Sequence, residues 1–538
     1  MDFAFDYSIT SGVFDDFFFA VGYDEITGTY SAFGANSLKR LRELKTGIKY
    51  IRIHNMFTGP KGDLRGVVDA GCDPVKRDEQ GLLIFDWAKL DAVYDTLINN
   101  GYIPYIEFGF MPDVLSSAPL NKKGRWKNPP KDYDEWRTLI RECVKHLKDK
   151  YPEKHKLFIY EVWNEPDAVY FKGSIKEYIK LYDYTVAALY DIFPDGDFKI
   201  GGPAVALRML PFFKKFLKHC LYEKNHITEQ IGAKLDFISF HLKGGLYFPT
   251  PSIKKIFRNL RKYMKTIASF KRNGKNARKF NNSAYLPDDV EIHITELDPV
   301  VGCAKGVNVN SKFEFRNNEY YSSYTGYIAT LLQQFRKNFN HNISLVFSDN
   351  LHFSDEAGTI FKGCRSLTTA PFASLKLEEA LKDTQVIVKP VVKAYQILNL
   401  MKGEMLKQEN PLKFEKTDVS ALCTKKDNDI YLLFSNFNPK FNETNSKRSN
   451  AVIKGLLDKF KSAEISHYVV DATKNNTYKV WIDLKRPTYL DESMFNEIRE
   501  EEKLKPLKEF EISIENSKIQ VSVELKPYSL NFFEIKLL

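Results

Sequence analysis

Residues 157–202 read LFIYEVWNEPDAVYFKGSIKEYIKLYDYTVAALYDIFPDGDFKIGG. The stretch opens on an apolar, β-branched and aromatic run, Leu157 to Val162. It then crosses polar residues into EYIKLYDYTVAALYDIF (177–193), whose apolar residues recur at three and four, and returns after Pro-Asp-Gly to a second run, Lys199 to Gly202. Short runs of this kind separated by an amphipathic helix are the pattern of parallel βα units.

The alternation extends in both directions. Further runs are Phe17 to Gly22, Tyr50 to His54, Ile103 to Phe108, Asp236 to His241, Val290 to Thr295 and Ile343 to Phe347, with helical segments such as SLKRLRELKTG (37–47) and AKLDAVYDTLINNG (88–101) among them. Eight such runs predict an α/β fold, a (β/α)₈ TIM barrel over residues 17–402, with VKPVVKAYQILNLM (388–401) as its closing helix. Beyond it the pattern changes to strands: VSALCTKK, DIYLLFSNF, ISHYVVDA, TYKVWIDL, EFEISIE and IQVSVEL. These predict a β-sandwich domain over 403–538, interrupted by one charged helix, SMFNEIREEEKL, with residues 1–16 as an N-terminal edge strand of the same sandwich.

A chain of 538 residues with 43% apolar content suits two or three domains. Its 14% aromatic content fits both a packed core and stacking on sugar rings. The net charge of +10 comes from lysines spread along the chain, densest at Lys254 to Lys279, with no basic and aromatic strip, so no nucleic-acid partner is expected. Six cysteines without C-x-x-C spacing indicate neither a disulfide framework nor a zinc site. The acidic N-terminus lacks a secretory signal, and its apolar run is too short to span a membrane; a cytoplasmic setting is expected. Four N-x-S/T sequons, at Asn281, Asn342, Asn442 and Asn475, point the other way.

In a (β/α)₈ barrel, chemistry sits at the C-terminal ends of the strands. The second run ends in His54, the fourth leads into Asn164 and Glu165, and the sixth ends in His241 with Lys243 two residues on. The seventh leads into Glu296, and the eighth into Asp349. Two carboxylic acids facing each other across a barrel mouth are the equipment for cleaving a glycosidic bond: one protonates the leaving oxygen while the other attacks the anomeric carbon. A gap of about 5 Å gives a covalent intermediate and retention of configuration. Asn164 is placed to bond the hydroxyl beside the anomeric centre. No metal or organic cofactor is implied, since no H-E-x-x-H, P-loop or strand-following G-x-G-x-x-G is present.

At these residues the sequence resembles glycoside hydrolase family 39, which contains β-xylosidases and α-L-iduronidases. KYIRIHNMF (49–57), IPYIEFGFMP (103–112), YEVWNEPD (160–167), IHITELDP (292–299) and the closing helix carry the resemblance, which spans essentially the whole chain. It implies Glu165 as general acid/base and Glu296 as nucleophile. LDFISFHLKGG (235–245), TELDPVVG (295–302), FSDN (347–350) and FKGCRSLTTAPF (361–372) are more similar to the iduronidases than to the xylosidases. That likeness implies that Lys243, Arg365 and the backbone N–H of Gly302 hold a uronate carboxylate, that Asp349 binds ring hydroxyls, and that His54, Asn164 and His241 line the pocket. A cationic clamp is what an anionic sugar requires, a guanidinium gripping the carboxylate bidentately and a lysine adding a point charge. The expected partner is therefore an oligosaccharide with a terminal uronic acid. The alternatives are a neutral-sugar enzyme, a β-xylosidase or arabinosidase, and a noncatalytic glycan-binding protein.

Overall fold

The computed structural model describes residues 1–24, 26–59, 71–206, 210–245, 251–300, 306–308, 310–339, 341–353, 360–370, 385–409 and 417–538. The chain starts with β1 (Asp2–Val13), which belongs to the second domain. Eight parallel strands then close into a barrel: β2 (Ala20–Tyr23), β3 (Tyr50–Ile53), β4 (Ile103–Phe108), β5 (Ile159–Val162), β6 (Lys199–Val205), β7 (Phe237–Lys243), β8 (Glu291–Asp298) and β9 (Ile343–Asp349). They pair in sequence order, and β9 returns to β2 through Phe347 opposite Ala20 and Asp349 opposite Gly22. Each run of the sequence reading falls on one of these strands, with ends displaced by up to three residues.

Among the described residues, each barrel strand is followed by a helix that covers it: α1 (Ala32–Glu43), α2 (Ala88–Asn99), α3 (Tyr133–Lys150), α4 (Ile175–Ile192), α5 (Leu210–Tyr222), α6 (Ile253–Ala268), α7 (Glu319–Phe339) and α8 (Val391–Leu400). The start of α4 shows how sequence sets such an element. Ser174 accepts from the Glu177 N–H while the Glu177 side chain accepts from the Ser174 N–H, a reciprocal capping box that satisfies two otherwise orphaned donors. Ser174→Ala is expected to destabilise the barrel by about 1 kcal/mol, read as a lowered unfolding midpoint with unchanged circular dichroism.

The second domain is one nine-stranded sheet in the order β15-β14-β17-β12-β11-β10-β1-β13-β16. Its later strands are β10 (Glu404–Gln408), β11 (Val419–Lys426), β12 (Asp429–Asn436), β13 (Lys447–Lys454), β14 (Ser462–Val470), β15 (Pro506–Ser513), β16 (Lys518–Leu525) and β17 (Ser529–Leu537). Three strand spacings separate β1 from β12, about 14 Å in a flat sheet. Yet the Phe3 and Phe434 rings lie 5.7 Å apart. The sheet is therefore rolled on itself, and its two wings share a core of Phe3, Phe5, Ile453, Phe434, Ile465 and Phe533.

Two expectations need correction. Residues 1–16 supply no edge strand: β1 lies inside the sheet, antiparallel to β10 and parallel to β13. TYKVWIDL is not a strand but α9 (Thr477–Asp483), capped by the Asn476 side chain accepting from the Lys479 N–H. A helix puts Tyr478 and Trp481 on one face, where both pack against Phe361 of the barrel, at 5.1 and 5.3 Å between ring centres.

With α10 (Glu492–Glu501), α9 forms an insertion between β14 and β15 that grips the barrel, where Glu502 pairs with Arg40 of α1 at 2.6 Å. On the other side α7 lies so close to the sheet that a Cβ at Gly326 would meet Leu530 at 2.6 Å. The sheet thus braces the helix that follows β8. No described helix is long and apolar enough to cross a membrane.

Candidate active site

The strand period of two sorts the barrel interior into layers. The lowest is aromatic: Phe237 stacks on His293 at 4.0 Å, Tyr105 meets Phe347 at 4.7 Å, and the Tyr105 hydroxyl bonds His293 Nδ1 at 3.0 Å. Two residues further along β3 and β4, and at the same level of β5, comes a buried charge layer. Arg52 lies 2.6 Å from Glu107 Oε2 and 2.7 Å from Glu161 Oε2, and it donates to Asn164 Oδ1 at 2.9 Å. Above this stand His54, His241, Lys243, Glu296 and Asp349.

Glu296 reaches that layer only through an irregularity. His293 points inward, so in a regular strand Glu296, three residues on, would point at the helices. The register shows the change: Ile294 sits opposite Phe240 while Glu296 sits opposite His241, leaving Thr295 as an extra residue. The bulge turns both Glu296 and Asp298 inward. Glu165 arrives differently, on left-handed backbone at Trp163 (φ 68°) and Glu165 (φ 46°), uncommon for such residues and costly unless held. The Glu165 N–H is fixed on the Ala204 carbonyl at 3.1 Å, and the Trp163 indole donates to the Tyr170 carbonyl at 3.1 Å.

The two carboxylates share His241. Its Nδ1 is 2.9 Å from Glu165 Oε1 and 3.5 Å from Glu296 Oε2, and one oxygen of each acid lies within 4.8 Å of the other. Their surroundings push them apart. Burial, and then the negative charge of Glu296, raises Glu165 to about 8, so it holds its proton at neutral pH. Burial alone would raise Glu296 as well, but His241, Lys243 and His54, which face it, hold it well below the ordinary carboxylate range.

Burial lowers His241 itself to about 4, so near neutrality its ring is uncharged and Lys243 and His54 carry the effect. Burial would also lower His54, but Glu107 Oε2, 2.7 Å from its Nδ1, raises it to about 10 and keeps it cationic. One protonated and one ionised carboxyl, close together, can deliver a proton and a nucleophile to the same bond.

Two more cations stand beside the pair. Lys243 Nζ is 2.6 Å from Glu296 Oε2 and 2.5 Å from Asp298 Oδ2, with Asp349 Oδ2 at 3.7 Å. Burial disfavours its charge, yet Asp298 and Glu296 outweigh this and raise it. Arg365 pairs with Asp349 through Nη1 and with Asp24 Oδ2 through Nη2, the latter at 3.1 Å, while its buried Nε has no partner among the described residues. Among the described residues, three carboxylate and imidazole groupings at this mouth are close enough for a divalent ion: Glu165–His241–Glu296, Glu296–Asp298–Asp349 and Asp24–Asp349–His352. Lys243, Arg365 and cationic His54 already stand among them, so a metal would have to displace an organic cation.

His54, Asn164, Glu165, His241, Lys243, Glu296, Asp349 and Arg365 therefore come together at one end of the barrel; Gly302 lies outside the described residues. The sequence reading missed the residues that hold them. Arg52, Glu107 and Glu161 form the floor, Asp298 holds Lys243, and Asp24 lies 3.5 Å from His54 Nε2 and grips Arg365. His352 Nε2 bonds Asp349 at 3.2 Å. The available signal was a charged residue inside an apolar run, as at Arg52 and Glu161.

The model of glycosyl hydrolases family 39 matches residues 24–518. A β-xylosidase of Caldicellulosiruptor saccharolyticus is 26% identical over 506 residues, covering 93% of this chain and 91% of its own. An α-L-iduronidase of Mus musculus is 26% identical over 209 residues, 37% of this chain and 29% of its own. A solved bacterial orthologue of human α-L-iduronidase shares the fold with a TM-score of 0.74 at 18% identity, over 99% of this chain and 83% of that one.

Proposed function

The chain belongs to glycosyl hydrolases family 39, and on that premise we propose that it is a retaining exo-glycosidase removing terminal α-L-iduronic acid, or a closely similar uronic acid, from oligosaccharides. Glu296 attacks the anomeric carbon while Glu165 gives its proton to the departing oxygen. This leaves an ester between the sugar and Glu296. Water then enters, Glu165 takes its proton, and the hydroxide attacks the same carbon and frees Glu296. Two inversions restore the configuration. The contact of the two acids within 4.8 Å supports this route, since inversion needs roughly 6.5 Å or more between them to seat a water. With its oxygen fixed on Arg52, Asn164 presents its NH₂ to the neighbouring hydroxyl.

The observation that carries the uronide reading is the pair of buried cations, Lys243 and Arg365, flanking Asp349 beside the carboxylates. A neutral sugar has no use for two such charges, whereas a uronate engages both. Whole-length similarity to a β-xylosidase supports the second reading, a neutral-sugar enzyme in which these cations serve only to pair acids.

Hydrolysis of 4-methylumbelliferyl α-L-iduronide and β-D-xyloside decides between them. Preference for the iduronide is expected; preference for the xyloside moves the enzyme to the neutral-sugar branch. The pH profile tests the roles. Glu165 must be protonated to act and is raised, so kcat/KM is expected to fall as pH rises through about 8. Glu296 must be ionised and is lowered, so the acid limb lies below the ordinary carboxylate range. An acid limb near neutrality contradicts the assignment.

A further inference from the structure

On the outer wall of the barrel, remote from the strand ends that carry the carboxylates, Asp183 of α4 faces His219 of α5 and His226 of the loop that follows. Asp183 is fully buried and His219 almost so, while the His226 side chain is 39% exposed. Both imidazoles converge on one carboxylate oxygen. His219 Nε2 is 3.0 Å from Asp183 Oδ2 and 2.8 Å from Oδ1, and His226 Nδ1 is 2.7 Å from Oδ2. The His226 N–H also donates to Oδ2, at 2.9 Å.

We propose that Asp183, His219 and His226 form a binding site for a divalent transition-metal ion, zinc by its ligand chemistry, that ties α4, α5 and the loop at 225–231 together. Two imidazoles and a carboxylate suit zinc. Their three ligand atoms lie within 4.8 Å of one another. Ligands about 2.0–2.1 Å from a tetrahedral ion stand about 3.3 Å apart, so each ring nitrogen needs to draw back from Asp183 Oδ2 by only about half an ångström.

Two surrounding features fit an ion better than a hydrogen-bond latch alone. Glu223 Oε2 stands 3.8 Å from His219 Nδ1, the far nitrogen of that ring. From 3.8 Å, just beyond hydrogen-bond reach, that carboxylate has to close in to take the N–H that the ring carries once Nε2 is bound to metal. A cavity of about 690 Å³, lined by Asp183, Cys220 and Asn225 among others, also lies beside the cluster.

Binding needs no net proton change from neutral rings. The proton leaves His219 Nε2 for Nδ1, facing Glu223, and leaves His226 Nδ1 for Nε2, facing solvent. The lone pairs so exposed bind the ion. The site lies among the helices and near the N-terminal ends of the strands, where a staple serves stability rather than chemistry.

The test uses the full, untagged chain, stripped with chelator and titrated with zinc and, separately, with cobalt(II). The expected result is one equivalent of zinc bound by calorimetry, a raised thermal midpoint, and the visible absorption of four-coordinate cobalt. In His226→Ala, at an exposed position, zinc affinity is expected to fall at least 100-fold and the cobalt band to vanish, while glycoside turnover stays as in wild type. Glu223→Gln is expected to weaken zinc about tenfold. No zinc uptake by wild type, or uptake unchanged in His226→Ala, overturns the proposal and leaves the three residues as a hydrogen-bond latch.

Discussion

Replacement of Glu296 by alanine is expected to lower turnover of every glycoside substrate by roughly 10⁴- to 10⁶-fold, the usual range for loss of a principal catalytic group. The ester to the sugar cannot form without this carboxylate, and no other acid among the described residues can stand in for it. Asp298 and Asp349 are near, but Asp298 is held on Lys243 at 2.5 Å and Asp349 on Arg365.

Glu165→Ala gives the contrast. A leaving group such as methylumbelliferone departs without full protonation, so its first step is largely spared while poor leaving groups are lost. Azide, a small anionic nucleophile needing no general base, is expected to restore turnover of the activated substrate in Glu165→Ala and to give a product of retained configuration. Equal losses on activated and unactivated substrates in Glu165→Ala contradict the division of roles.

Lys243→Ala is expected to shift substrate preference strongly. A desolvated pair between a lysine and a carboxylate, broken from one side, costs about 2–5 kcal/mol, or roughly 30- to several-thousand-fold in kcat/KM. Part of the loss falls on any sugar, because Lys243 also touches Glu296 at 2.6 Å and helps keep it ionised. That shared part appears as an acid limb moved to higher pH with both substrates. The part belonging to a bound uronate is what remains in the ratio of iduronide to xyloside kcat/KM. A ratio unchanged by the substitution, with both activities reduced alike, assigns Lys243 to the nucleophile alone.

The barrel was legible because strands buried on both faces read as short apolar runs, and amphipathic helices separate them at regular intervals. The strand-end rule then collected most of the pocket from residues scattered between His54 and Arg365. What escaped depends on partners distant in sequence. β1 pairs in parallel with β13, Asp2 opposite Asn450, and nothing local distinguishes such a strand from an edge.

TYKVWIDL alternates like a strand, and only the Asn476 cap and the contacts with Phe361 settle it as a helix. Asp183 and His219 come from neighbouring helices 36 residues apart, so no ligand spacing announced them. Arg52 and Glu161 are charges inside apolar strands, and each is the other's reason for being there, at 2.7 Å.

The extra residue in β8 bears on tolerance to changes of length. Thr295 is the only residue between two correctly facing positions, Ile294 outward and Glu296 inward. A deletion at that point returns the strand to plain alternation and still leaves Glu296 and Asp298 facing the lumen. An insertion there also restores alternation, but it carries Glu296 two places on, from opposite His241 to opposite Lys243, about 6.6 Å along the strand, and leaves Thr295 where the nucleophile belongs. Length variation in this strand is therefore tolerated in one direction only, and a sequence comparison that scores gaps at Thr295 symmetrically will misjudge which relatives can keep the nucleophile in place.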